Sequence, residues 1–176
     1  MEKPEKIIFL DVDGVIQPFR NQERFNHDLK ELRKYLAREY NNDEYLEMDR
    51  FDLGAVCFDW DEDVVDRVKR LCVQVPAQIV ITSTLRRYFP LSRIKDYFRL
   101  HDLDQYIVGE IPKIRDKSRC ENLTIYMENN RHIKQFAILD DSYFDEFEKA
   151  YPKQFVHCEY FFSEQNYRHA RSLLLD

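Results

Sequence analysis

Short, fully apolar runs alternate along this chain with longer stretches in which apolar residues recur every three or four positions. Ile7, Ile8, Phe9 and Leu10 form the first run and lead straight into Asp11, Asp13 and Gly14. A continuous run of this length, partly β-branched and stopped by acid and glycine, predicts a strand buried on both faces. Ile79, Val80 and Ile81 repeat the pattern and end in Thr82, Ser83 and Thr84; Phe136, Ala137, Ile138 and Leu139 repeat it again and end in Asp140 and Asp141. Weaker runs in DQYIVGEIP and QFVHCEY predict two further short strands.

The intervening stretches have helical spacing. Leu29, Leu32, Leu36 and Tyr40 stand among charges and predict an amphipathic helix over residues 27–40. The segment DEDVVDRVKRLCVQV opens on acids, which suit a helix N-terminus, and puts Val64, Val65, Val68, Leu71, Cys72 and Val75 on one stripe. Pro90 is placed to start a helix over LSRIKDYFRLH, with Leu91, Ile94, Phe98 and Tyr97 inward. Further helices are predicted over CENLTIYMENN, through Phe144, Phe147 and Glu148, and over the C-terminal SEQNYRHARSLLL with Ser163 as N-cap. Strand and helix alternating in this way predict an α/β fold, a mostly parallel sheet with helices on both faces. Residues 17–58 exceed an ordinary connection of ~4–6 residues. They read as a small insertion after the first strand, with a short strand near Ala55 to Phe58, able to act as a cap or lid in an otherwise single 176-residue domain.

Composition narrows the function classes. A net charge of −6 argues against strong general affinity for nucleic acid or anionic membrane, while leaving room for a local basic patch. No stretch approaches the ~20 apolar residues that span a bilayer, so a cytoplasmic protein is expected. With three glycines in the whole chain, a glycine-rich phosphate loop and a dinucleotide fingerprint are excluded. Cys57, Cys72, Cys120 and Cys158 lack metal-ligand spacing and read as reduced, largely buried thiols.

The chemistry lies at the ends of the three strong strands. In an open α/β sheet the crevice outside the carboxyl ends of the strands is where ligands bind. Asp11 and Asp13 point to one side of an extended segment. Two carboxylates held so close ask for a divalent cation or a shared proton. Adding Asp140 and Asp141 makes a hard, oxygen-ligated metal such as Mg²⁺ the simplest remedy for the accumulated charge. Arg86 and Arg87 follow the second strand, and Lys113, Arg115, Lys117 and Arg119 form a basic segment before a helix. Each of these is equally readable as a solvated loop residue.

The trio DVDGV, a hydrophobic strand ending in Thr or Ser, then a basic residue before a helix and ILDD, resembles the haloacid dehalogenase-like (HAD) superfamily of phosphohydrolases, in the correct order over nearly the whole chain. FDWDEDVVDRVKRL before QIVITSTLRR, followed by PLSRIKDYF, VGEIP and FAILDDS, is similar to the HAD domain of Swiss Army Knife RNA repair proteins. STLRR departs from that pattern, because a Trp often precedes the Arg there. The resemblance implies a Rossmann-like HAD core and a magnesium-dependent phosphohydrolase that cleaves a phosphomonoester through an aspartyl-phosphate. Asp11 is then the nucleophile and Asp13 the acid and base. Thr82, or failing it Ser83, binds the phosphoryl group. Lys117 neutralises its charge, with Arg119 and Lys113 as competitors, while Ser83, Arg86 and Arg119 contact substrate. Asp11, Asp140, Asp141 and the main-chain carbonyl of Asp13 hold Mg²⁺, supported by Asp145. The substrate is a phosphorylated small molecule, protein or nucleic-acid end. Asp13 speaks against a dehalogenase, which has no leaving oxygen to protonate. The alternatives are a phosphotransferase, or a non-catalytic or nucleic-acid-repair-associated module that binds a phosphate end.

Overall fold

The computed structural model describes residues 4–144 and 146–175. Its centre is a parallel five-stranded sheet in the order β3-β2-β1-β4-β5, built from β1 (Lys6–Leu10), β2 (Gln78–Ile81), β3 (Ile107–Glu110), β4 (Gln135–Asp140) and β5 (Phe155–His157). The helices are α1 (Leu29–Glu39), α2 (Glu44–Glu47), α3 (Arg50–Gly54), α4 (Glu62–Gln74), α5 (Leu85–Tyr88), α6 (Leu91–Arg99), α7 (Arg119–Asn129), α8 (Phe147–Ala150) and α9 (Glu164–Leu175). Strand β1, with the most apolar run, occupies the middle of the sheet. Its side chains alternate between two cores. Ile8 and Leu10 pack with α4, α6 and α9, whereas Ile7 and Phe9 pack with Leu123 of α7 and Phe147 of α8. A strand covered on both faces needs no polar alternation, which is why the run is unbroken.

Local sequence fixes where the long helices begin. Asp28 accepts the main-chain N–H groups of Lys30 and Glu31 at the start of α1, and Asp61 accepts that of Val64 at the start of α4. Ser118 and Glu121 close a reciprocal capping box on α7. Ser163 caps α9, its hydroxyl accepting the Asn166 N–H at 3.2 Å.

Two expectations are corrected. The short strand expected near Ala55 to Phe58 is instead a π-helical turn, Ala55–Asp59, running on from α3. Asp49 caps α3, so the chain enters the segment already helical, and the apolar stretch is too short for its periodicity to separate strand from helix. The helix expected through Phe144 starts only at Phe147, and Phe144 is almost fully exposed. Asp145 lies outside the described residues. Residues 17–58 are largely helical: a 3-10 turn Glu23–Asn26, then α1, α2, α3 and the π turn, anchored by the buried Tyr45, Met48 and Leu53.

Candidate active site

Register brings the functional groups together. Leu10 pairs with Ile81 on one side and Leu139 on the other, so the next residues, Thr82, Asp11 and Asp140, form a row across three adjacent strands. Main-chain hydrogen bonds continue one step past β1: the Thr82 N–H donates to the Leu10 carbonyl at 2.9 Å, and the Asp11 N–H to that of Leu139 at 3.0 Å. The convergence expected from three distant strand ends is present in the fold.

Asp11 is buried. Its Oδ1 accepts the Val12 N–H at 2.8 Å, and its Oδ2 accepts Nη1 of Arg119 at 2.7 Å. The second guanidinium nitrogen of Arg119 donates to Asp140 Oδ1 at 3.0 Å. Arg119 is the first residue of α7, and the Ser118 cap turns the chain so that this side chain enters the crevice. Lys117, one residue before the cap, reaches Glu121 Oε1 at 3.5 Å instead. The cation set against the aspartates is therefore Arg119 rather than Lys117. Lys113 pairs with Glu110 at 2.8 Å on the rim.

Carboxylate oxygens of Asp11, Asp140 and Asp141 all lie within 4.8 Å of one another. Asp140 is fully buried; its Oδ1 also accepts the Ser142 N–H, and its Oδ2 has no hydrogen-bond partner among the described residues. Burial first, then the Asp11 charge, pushes its carboxyl up to about 8 against the opposing pull of Arg119. Burial and Asp11 likewise raise Asp141. Three acids against one guanidinium, with an unpartnered buried oxygen, fit a divalent cation with oxygen ligands.

Gly14 makes this packing feasible. Its φ of +72° belongs to the left-handed region, and a Cβ there would lie 2.6 Å from the Asp141 Cγ. The Asp13 carboxylate is not one of the three clustered acids. It is half-buried and lines a cavity of about 250 Å³ with Arg24, Asp52, Trp60, Leu85 and Tyr97. Burial raises its pKa first, followed by repulsion from Asp11 and Asp141.

The two candidate hydroxyls separate by what they already do. Ser83 Oγ accepts the Leu85 N–H at 3.3 Å and belongs to the turn, whereas the buried Thr82 Oγ1 has no partner among the described residues. Arg86 is buried rather than free in solvent. Its Nη1 donates to the carbonyls of Thr82 and Ser83, bracing the turn after β2, and burial lowers its pKa to about 10.

Several residues at the site carry no signal in the sequence. His157 shares a hydrogen bond with the Asp141 carbonyl at 3.0 Å and another with the Tyr143 hydroxyl at 2.9 Å. Arg24, Trp60 and Tyr97 reach the Asp13 cavity from elements far apart in the chain, and Arg24 is held there by the buried Asp59 at 3.1 Å. The thiols of Cys57, Cys72 and Cys158 are free, and burial pushes Cys57 and Cys72 up to about 12.

A parallel sheet with Asp11 and Asp13 after the central strand and Asp140 and Asp141 after its neighbour defines a HAD-type, Rossmann-like domain. The chain belongs to the family described as the HAD domain in Swiss Army Knife RNA repair proteins, which it matches over residues 7–165. No curated relative and no solved structure matches it. The superfamily is of the hydrolase and phosphatase type. Among the described residues no helix is long and apolar enough to cross a membrane.

Proposed function

We propose that this chain is a magnesium-dependent phosphohydrolase that cleaves a phosphomonoester through an aspartyl-phosphate on Asp11. The observation that carries this reading is the row of Asp11, Thr82 and Asp140 at matched strand ends, with Arg119 on Asp11 and three carboxylates within 4.8 Å. Phosphoryl transfer needs positioning and charge neutralisation more than covalent chemistry, and these groups supply both.

An Asp11 carboxylate oxygen attacks phosphorus and the bond to the ester oxygen breaks. Asp13 gives its proton to that leaving oxygen, and the leaving group occupies the cavity of about 250 Å³ beside it. Asp13 then takes a proton from water, whose oxygen attacks phosphorus; the Asp11 bond breaks and phosphate leaves. Thr82 Oγ1, which no group among the described residues engages, donates to a phosphoryl oxygen. Arg119 takes the charge-neutralising role and keeps the Asp11 carboxylate aimed. Asp11, Asp140 and Asp141, with the main-chain carbonyl of Asp13, would hold Mg²⁺, which when bound neutralises phosphoryl charge. The helical insertion forms the wall of the Asp13 cavity through Arg24, Asp52, Ala55 and Val56 and acts as a cap that selects the leaving group.

Hydrolysis of p-nitrophenyl phosphate, with and without Mg²⁺, tests the reading. Asp11→Asn preserves shape and removes the nucleophile, so the rate is expected to fall by at least about 10³-fold, equivalent to ~4 kcal/mol of barrier. A rate unchanged by that substitution would overturn the assignment.

A further inference from the structure

Beside the aspartates lies a second recess that the proposed chemistry does not use. It has a volume of about 300 Å³ and is lined by Arg86, Arg87, Lys113, Arg115 and Lys117, with Asp116 as its one acid. The chain as a whole carries a net charge of −6, so five cations around one recess are a local concentration against the overall sign.

The carboxylates near these cations leave part of that charge available. Lys117 meets Glu121 at 3.5 Å and Arg115 meets Asp116 only at 3.9 Å, both at exposed positions where such pairs contribute little; Lys113 meets Glu110 more closely, at 2.8 Å, in a partly exposed pair that a phosphate would have to share. Arg86 is different in kind, because it is 1 % exposed. Its Nη1 donates to two main-chain carbonyls and its Nε has no partner among the described residues. A buried guanidinium held by neutral acceptors, with its Nε unpartnered, is costly unless an anion completes it.

Position ties the recess to the crevice. Arg86 is braced on the carbonyl of Thr82, at the end of β2, and the opposite wall, residues 113–117, leads directly into Ser118 and Arg119. A molecule with one phosphate at Asp11 and Thr82 would present its neighbouring part to this recess.

We propose that the recess is a subsite for a second phosphate of the substrate, so that the natural substrate carries two phosphates, one cleaved at Asp11 and one held by Arg86, Arg87 and Lys113. This rests on the phosphohydrolase reading above. The second phosphate is either that of a small bisphosphorylated molecule or the diester next to the terminal phosphate of a nucleic-acid strand. Both present the same oxygen acceptors to a forked guanidinium.

Equilibrium binding to Asp11→Asn protein in the presence of Mg²⁺ separates this subsite from turnover. The probes are phenyl phosphate, adenosine 3′,5′-bisphosphate and a short single-stranded oligonucleotide bearing a terminal phosphate. At least one of the two-phosphate probes is expected to bind ten-fold or more tighter than phenyl phosphate. Adding Arg87→Ala and Lys113→Ala, both exposed positions, should abolish that advantage while shifting phenyl phosphate affinity less than threefold. An advantage for the bisphosphate alone assigns a small molecule, and one for the oligonucleotide alone assigns a strand end. No advantage for either, or equal weakening of all three probes in the double variant, overturns the proposal. Binding advantage without hydrolysis in the wild type would instead overturn the phosphohydrolase reading and leave the subsite standing.

Discussion

Arg119 Nη1 stands 2.7 Å from Asp11 Oδ2, a hydrogen bond joining residues 108 positions apart. The same guanidinium reaches Asp140 at 3.0 Å, so one side chain bridges the ends of two neighbouring strands. Removing it would leave two buried carboxylates facing each other without their counter-charge. Arg119→Met is expected to cost about 3–5 kcal/mol of stability in the metal-free protein, the usual range for breaking a buried pair. Hydrolysis of p-nitrophenyl phosphate should fall at least tenfold further than in Lys117→Ala. Arg119→Lys keeps the charge but loses the fork and should recover only part of the loss. Thermal melts and steady-state rates on the three variants check this.

Magnesium should stabilise the protein by binding the folded state alone. At a concentration about 100 times its dissociation constant the gain is ~2.7 kcal/mol. Asp141→Asn removes one of the three clustered carboxylates and should reduce the metal-induced rise in Tm to a small fraction of the wild-type shift. An unchanged shift would mean that the ion binds elsewhere.

Gly14→Ala tests the close approach of the first loop to Asp141. The left-handed backbone at +72° costs an L-residue about 1–2 kcal/mol, and the added methyl must push the Asp141 carboxylate aside. The expected result is a lowered Tm, a loss of at least 100-fold in hydrolysis and a diminished Mg²⁺ shift, all from one methyl group. A variant that lost stability but kept its Mg²⁺ shift would show that Asp141 can move without leaving the cluster.

His101 should make stability fall in mild acid. Burial is the main force lowering its pKa below 6.5; its ring stacks on Trp60 at 5.0 Å and is hydrogen-bonded to the Val56 carbonyl at 2.7 Å. The unfolded chain therefore binds a proton near pH 6.5 that the folded chain takes up only at lower pH. This contribution is complete above 6.5 and is lost as pH falls below it. Unfolding free energies measured from pH 7 to pH 5 should decline, and the decline should be shallower in His101→Gln.

Much of this molecule is legible in hydrophobic periodicity. The runs at Ile7–Leu10, Ile79–Ile81 and Phe136–Leu139 read as strands buried on both sides, and their acid and hydroxyl endings marked the crevice before any fold was in view. The helices with strong caps, α1, α4 and α7, begin within a residue or two of where Asp28, Asp61 and Ser118 stand. The segment after α3 was less legible, since a short apolar run around Val56 suits strand and helix alike. A strand there would have needed a partner that the segment, already helical from the Asp49 cap, does not meet.

Local sequence determined the strands, most helix starts and the acids that end β1 and β4, because those depend on neighbours within a few residues. Tertiary structure alone decided that Arg119 and not Lys117 meets Asp11, that Thr82 and not Ser83 keeps a hydroxyl without a partner, and that Arg86 is buried. Side chains one or two residues apart look interchangeable along the chain. Which of them enters the crevice is set by the rotation of a helix start and by strand register, and both are fixed by packing between segments far apart in sequence.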